Sequence, residues 1–457
     1  MTPPNYFLAD LPPGAELTAA MITEACQTLR RNRERYLATR STPSIIGTVS
    51  ALAREWRRPE CHFRKIALEP AKTDFGRTTL ANGLDAFFSE LTPENLEAVV
   101  SQDLGHAQRL DRFVSTAREQ GAERCSLAIG PPLLVHITAG NLPVPALMSM
   151  VLGLLVRSAQ FVKCASGSAF LSRLFAHSLY EAEPKLGACL EIAEWPGGRA
   201  QLEEALYAEA DYVTATGSDE TIAAIRRTLP SHVRFVAYGH RVSFGYVAQE
   251  MMTSFSAKKI AAQAANDVAA WNQLGCLSPH VFYVEHGGAV TPEQFAEMLA
   301  MELAQRETAE PRGPIPTEQA ATIASRRAFY HVRAAASPET PGVPETRCWH
   351  SDGSTAWTVV YEADPAFQFS CLNRFVYVKA VGDFNEVLRA VEPVRGKVST
   401  VALAASESNT AQLAVALARW GATRICSVGQ MQRPSLLWRH DGRPSLGELV
   451  TWTDWER

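Results

Sequence analysis

The spacing of apolar positions changes character along the chain. Up to about residue 120, apolar residues recur at helical intervals, as in Leu17–Leu37 and Ile45–Trp56, which predicts a mostly helical region. Leu91-Thr92-Pro93-Glu94-Asn95 reads as a helix start. Thr92 is the N-cap, Pro93 sits in the first turn, and Asn95 takes the place of a capping-box glutamate. From about residue 126, short apolar runs alternate with helical stretches. Leu127–Ile129, Leu133–Ile137, Gln160–Cys164, Glu191–Glu194 and Tyr212–Ala215 have strand character. Pro145–Arg157, Ala169–Tyr180 and residues 199–208 are helical. Strand and helix trading places in units of about 30 residues predict a parallel, doubly wound sheet. A further α/β stretch runs from about 242 to 415. It has helices at Ala257–Ala269, 292–305 and 317–335 and a strand at Val281–Val284. Pro338 to Pro344 carries three prolines and reads as an exposed loop.

Length and composition narrow the class. A chain of 457 residues exceeds one ordinary core, so two or three domains are expected. Hydrophobic residues at 46% and charged residues at 20% describe a globular protein. A net charge of -4 implies no basic face, so nucleic acid is not an expected partner. Met1–Asn5 has neither a basic nor an apolar signal region, so no signal peptide is expected. The longest apolar stretch, Val144–Val156, is shorter than the roughly 20 residues a membrane span needs. A buried helix is expected there, and no membrane span. The nine cysteines are odd in number, scattered, and without a CxxC pair. Neither a disulfide framework nor a zinc site is expected, and a reducing cytoplasm fits.

Three segments could carry chemistry. Cys276, in Asn272-Gln273-Leu274-Gly275-Cys276-Leu277-Ser278-Pro279, lies between a helix and an apolar strand, where a tight turn can present a thiol and its backbone N–H. Read locally, it is more readily a core cysteine at a turn. Thr216-Gly217-Ser218-Asp219-Glu220 follows a strand and opens a helix, a site suited to pyrophosphate or simply a capped helix start. Asn141, in His136-Ile137-Thr138-Ala139-Gly140-Asn141, ends a strand, where its amide could donate to a developing oxyanion or merely close a turn. No GxGxxG occurs, so the ordinary dinucleotide fingerprint is absent.

Taken in order, these segments resemble the aldehyde dehydrogenase superfamily, and more specifically the LuxC-type fatty-acyl-CoA reductases. The likeness runs from about residue 70 to the C-terminus. It is carried by Gly130–Pro143, the Cys276 segment, and the tail Trp438-Arg439-His440-Asp441-Gly442-Arg443-Pro444 with Leu446–Val450. The resemblance implies an α/β, aldehyde-dehydrogenase-like fold of two doubly wound domains with the active site in the cleft between them. Residues 1–241 with about 416–457 would form the helical region and the nicotinamide-binding domain, and 242–415 the catalytic domain. Cys276 would be the nucleophile, and Asn141 would share the oxyanion with the Cys276 N–H. Lys163 would reach the adenosine ribose, Gly197 lies in the loop beside the adenine, and Gly217 and Ser218 match the pyrophosphate site. Gly239 falls in the stretch Ala237–Arg241, which matches the superfamily's E-L-G-G-K segment.

Departures from the superfamily pattern set the expected direction of the reaction. Ala237 stands where aldehyde-oxidising members carry a glutamate base. Hydrolysis of an acyl-enzyme needs such a base, whereas attack of a cysteine on a thioester does not. The expected activity is therefore reduction of a fatty acyl thioester, delivered by CoA or an acyl carrier protein, to an aldehyde. His240 is a candidate proton donor. Ser166 replaces an acid that often binds the ribose hydroxyls in NAD-preferring relatives. With Lys163 near, NADPH is expected, with NADH as the alternative. Cys371 falls near the position of a glutamate that usually holds the nicotinamide ribose. A homo-oligomer and acyl-transferring partner enzymes are also expected. The rival readings are a short-chain CoA-acylating aldehyde dehydrogenase, a redox-independent acyltransferase or thioesterase using Cys276, and a non-catalytic scaffold.

Overall fold

The computed structural model describes residues 4–12, 14–69, 73–336 and 345–456; the loop expected at Pro338–Pro344 lies outside them. The chain divides into two compact units. The first comprises Met1–Lys72, Leu84–His240 and Ser435–Arg457; the second comprises Thr73–Gly83 and Arg241–Pro434.

In the first unit, helices at Ala19–Tyr36, Thr42–Trp56 and Pro93–Leu104 occupy the stretch with helical spacing. Thr92 caps the last of these by accepting from the Asn95 N–H. The Asn95 amide reaches back to the Glu90 carbonyl, because a short amide there meets that acceptor rather than completing a capping box. Strand β1 (Arg124–Ile129) pairs antiparallel with β14 (Thr451–Glu456), supplied by the chain end. Strands β2 (Leu133–Ile137), β3 (Ala159–Cys164), β4 (Leu190–Glu194), β5 (Tyr212–Thr216) and β6 (Arg234–Tyr238) form a parallel sheet in the order β4-β3-β2-β5-β6. The chain winds outward through β3 and β4, then returns to β5 on the other side of β2. That reversal opens a crevice at the C-terminal ends of β2 and β5, where doubly wound sheets take ligands. The apolar run Val144–Leu155 is a buried helix.

The second unit holds a seven-stranded sheet. Its strands are β7 (Val242–Val247), β8 (Pro279–Glu285), β9 (Thr346–His350), β10 (Thr358–Glu362), β11 (Phe375–Val381), β12 (Val398–Ala404) and β13 (Ile425–Ser427). Their order is β13-β12-β7-β8-β11-β10-β9, all parallel except β9. Both faces carry apolar cores, so the five inner strands β7, β8, β10, β11 and β12 are almost wholly buried and lack alternation, while the edge strands β9 and β13 are mostly half-buried. This unit extends past the expected boundary near 415 to Pro434. The reason is that β12, the helix Glu407–Trp420 and β13 complete its sheet edge. Thr73–Gly83 also belongs here. Phe75 meets the Trp271 ring edge-on at 5.2 Å, and the Thr79 hydroxyl donates to Glu310 at 2.8 Å.

No described helix is long and apolar enough to cross a membrane. Among the described residues, no cluster of three His, Cys, Asp or Glu could hold a metal ion.

Candidate active site

In the first unit, parallel register gathers residues scattered over a hundred positions. Ile137 pairs with Lys163 and Ala215, Lys163 with Ala193, and Thr216 with Tyr238. Asn141, Lys163, Ser166, Gly197, Gly217, Ser218 and Gly239 therefore all lie at or just beyond the C-terminal strand ends, along one sheet edge. Asn141 is exposed in the turn after β2. Lys163 is buried, its ammonium 5.6 Å from the centre of the Trp195 ring, and burial lowers its pKa. The Trp195 indole N–H is buried without a partner among the described residues. The turns at Gly167, Gly197 and Gly198 are open, with no atom within 4 Å of where a Cβ would stand.

Two details qualify the expected roles. The Ser218 hydroxyl caps the helix Asp219–Thr228 by accepting from the Thr221 N–H at 3.2 Å, and that helix already has Asp219 and Glu220 in its first turn. The capped-helix alternative is thus realised, and two acids stand beside any anion held there. The loop carrying Ser166 is bound by a carboxylate as well. Glu194, at the end of β4, accepts from the Gly167 N–H at 2.6 Å and the Ala169 N–H at 3.0 Å. Gly239 closes over the same helix start. A Cβ there would come within 2.7 Å of Asp219 Oδ1, which also accepts from the His240 N–H. At the end of β6, the Ala237 carbonyl accepts from Arg443 at 2.7 Å, and His440 stacks on Tyr238 at 4.4 Å. The tail motif thus packs on the edge of β6.

Cys276 belongs to the second unit. Five of the nine thiols are buried, and Cys276, Cys348, Cys371 and Cys426 are half-buried. Burial pushes Cys348 and Cys426 up to about 11 and raises Cys371 as well, which keeps those three thiols protonated at neutral pH. Cys276 sits in a turn ahead of β8, closed by the Ser278 N–H donating to the Gly275 carbonyl. Its own carbonyl accepts from Ser243 Oγ at 2.7 Å.

The backbone leading to Cys276 is unusual. Trp271, Asn272 and Gln273 are consecutive left-handed residues, and so are Leu372, Asn373 and Arg374. Each such non-glycine residue costs roughly 1–2 kcal/mol, so the pair of turns persists only if its surroundings over-determine it. They do, because the two turns clasp each other. Gln273 Nε2 donates to the carbonyls of Pro279 and Phe375, both at 2.8 Å. Arg374, fully buried, donates to Asn272 Oδ1, the Glu310 carbonyl and Glu307. The Asn272 amide donates to the Arg312 carbonyl at 3.0 Å. The Ser370 N–H donates to His280 Nδ1, four residues beyond Cys276. Local sequence gave no sign of this clasp, since no glycine marks either turn and Arg374 lies about a hundred residues from Cys276.

The two-sheet architecture is that of the aldehyde dehydrogenases. An indole-3-acetaldehyde dehydrogenase solved with NAD+ superposes with a TM-score of 0.74 at 14% identity, covering 96% of this chain and 89% of its own. Bifunctional proline utilization A matches at a TM-score of 0.72 and 17% identity over 96% of this chain, which spans 45% of that longer protein. Within that fold class the chain belongs to the acyl-CoA reductase (LuxC) family, whose model matches residues 37–452. A long-chain acyl-protein thioester reductase of Aliivibrio fischeri is 24% identical over 426 residues, 90% of this chain and 82% of that protein.

Proposed function

We propose that this nicotinamide-dependent reductase takes a fatty acyl group from a CoA or carrier-protein thioester onto Cys276 and releases it as an aldehyde. The observation that carries the reading is the clasped pair of left-handed turns, which fixes a half-buried cysteine ahead of β8 at considerable backbone cost.

The Cys276 sulfur attacks the thioester carbonyl carbon. A C–S bond to the enzyme forms as the C–S bond to the carrier breaks, and the carrier thiol leaves. Asn141 and the Cys276 N–H are assigned to the oxyanion; one such donor is typically worth about 3–4 kcal/mol. A reduced nicotinamide, when bound, would supply the hydride that the acyl carbon needs. The Cys276 sulfur then departs as the aldehyde C=O forms. Ala237 offers no carboxylate to activate water, which supports reduction over hydrolysis. Lys163, Ser166 and the open turn at Gly197 would hold the adenosine half of the cofactor, and Gly217, Ser218 and Gly239 would line the pyrophosphate. The burial of Lys163 against Trp195, whose indole N–H has no partner among the described residues, fits a group that arrives from outside the chain. NADPH is the proposed form, on the neutral Ser166 beside Lys163, with Glu194 the nearby charge that resists a 2'-phosphate. A homo-oligomer and acyl-transferring partner enzymes complete the proposal.

The test is intact-mass spectrometry after incubation with a panel of acyl thioesters, followed by NADPH. An acyl adduct absent from Cys276→Ala and discharged to aldehyde by NADPH is the expected result, and the preferred chain length separates fatty from short-chain substrates. Adduct turnover without NADPH would instead mean a thioesterase or acyltransferase, and no adduct would mean a scaffold. Rapid release of free acid from aldehyde and NADP without CoA would overturn the role given to Ala237.

A further inference from the structure

The turn after β3 already holds an anion, and that anion belongs to the chain. Gly167 is left-handed, with φ +78°, and the Ser168 N–H and hydroxyl both donate to the Ala165 carbonyl, at 3.0 and 2.7 Å. A left-handed residue in such a turn lets backbone N–H groups converge on one side, the cradle that phosphate sites use. Glu194, at the end of β4, fills it. Its Oε1 accepts from the Gly167 N–H at 2.6 Å and its Oε2 from the Ala169 N–H at 3.0 Å. Strand register fixes this placement. Cys164 pairs with Glu194 across the parallel strands, so the carboxylate lies beside the turn that leaves β3. A phosphate brought to this turn would find both donors taken. A carboxylate oxygen has a second lone pair, so Glu194 can still accept from a hydroxyl. There is room for one, since no atom lies within 4 Å of where a Cβ at Gly167 would stand. Lys163 and the exposed Arg199 are the cations of these two strand ends. Glu203, which accepts from the Gly198 N–H at 2.9 Å, is a second acid, and Lys163 feels both it and Glu194. The cations are thus matched by acids, with no surplus of positive charge for a phosphate.

We propose that Glu194 is a specificity-determining residue for the dinucleotide: its carboxylate accepts from a free ribose 2'-hydroxyl and keeps a 2'-phosphate out of the Ser166 turn. The preference for NADPH that a neutral Ser166 allows is therefore held small. An acid on the ribose hydroxyls is the usual mark of NAD recognition, and here it reaches the turn from the neighbouring strand. The proposal rests on the adenosine ribose lying at Lys163 and Ser166.

The experiment measures binding of NAD+ and NADP+ to the full-length protein by isothermal titration calorimetry, with no acyl donor present. In the wild type the two Kd values should lie within about tenfold of each other. Glu194→Gln keeps the shape and removes the charge, and should move their ratio about tenfold toward NADP+. The kcat/KM ratio for NADPH over NADH should move in parallel. Glu194→Asp keeps the charge and should stay near the wild-type ratio. A glutamine variant whose ratio moves by less than about twofold would overturn the proposal. An aspartate variant shifted as far as the glutamine variant would overturn it too, since loop geometry and not charge would be the cause. Lys163→Met is measured alongside and should weaken both dinucleotides. If it does, and Glu194→Gln leaves the ratio alone, the proposal falls and the adenosine reading stands. If Lys163→Met changes neither Kd, the adenosine reading falls, and a ratio that still answers to Glu194 keeps the ribose beside that residue. A wild type that binds neither dinucleotide would overturn both.

Discussion

Replacing Gln273 by glutamate exchanges one nitrogen for oxygen and turns the centre of the loop clasp from donor to acceptor. In the native protein Gln273 is fully buried, and its Nε2 satisfies the Pro279 and Phe375 carbonyls, each at 2.8 Å. Glutamate fits the same volume but as a carboxylate puts a third acceptor against those two. Each buried carbonyl left without a donor costs about 1–3 kcal/mol, so the loss at pH 7 is about 4 kcal/mol. At about 2–4 °C per kcal/mol for a unit of this size, calorimetry should show the second unit's Tm falling by about 8–16 °C. The carboxyl can recover one bond by taking a proton. Its folded pKa is therefore raised above the unfolded value of about 4.3, so the variant's deficit shrinks as pH falls and grows as pH rises. Gln273→Met removes the donors without adding a titrating group, and its deficit should not vary with pH in this way. Acylation of Cys276 should fall in both. A glutamate variant melting within about 2 °C of the wild type at pH 7, with no pH dependence, would show that the clasp contributes little.

Three further outcomes are expected. A Cβ added at Gly83 would come within 1.9 Å of Trp271, so Gly83→Ala should destabilise the second unit by about 1–2 kcal/mol despite alanine's better helix propensity, and slow acylation, as denaturant titration and adduct kinetics would show. Burial holds His136, bonded to Thr214 and Gln160, down at about 4 from its ordinary 6.5. Between those values the unfolded chain binds a proton that the folded one excludes, so the first unit should lose about 3 kcal/mol on acidification from pH 6.5 to 4. His136→Gln should flatten that slope in urea titrations. Ser166→Glu adds a second carboxylate to the loop already bound by Glu194, and should shift the ratio of kcat/KM for NADPH over NADH by about tenfold toward NADH.

The strand–helix alternation from β2 to β5 was legible because each apolar run has strand length and is bounded by turn residues. The buried helix Val144–Leu155 was legible for its length. Strands β6, β7 and β9 to β13 were not read individually. Most are buried on both faces and show no alternation, and short apolar runs do not declare their type. The domain boundary near 415 was misplaced for a related reason. Nothing in the helix Glu407–Trp420 says that β13 pairs with β12 rather than leaving with the tail. Cys276 and Asn141 stood out by their place in the order of motifs, not by their local chemistry.

By itself the sequence determined the class of chain. Its α/β rhythm, the family motifs at Gly130–Pro143, Cys276 and Trp438–Pro444, and the alanine at 237 are all properties of linear order. Only the tertiary structure decided what surrounds those motifs. Parallel register carried Lys163, Gly197, Gly217 and Gly239 to one sheet edge and put the Glu194 carboxylate on the Ser166 loop. Folding also brought Arg374 to Asn272, and tied the Cys276 carbonyl through Ser243 and Thr400 to Arg424. Asn272 and Arg374 lie 102 residues apart, and even the nearer pairs, Gly167 with Glu194 and Ser243 with Cys276, lie 27 and 33 apart; hydrogen bonds act through space, so no local pattern could register them.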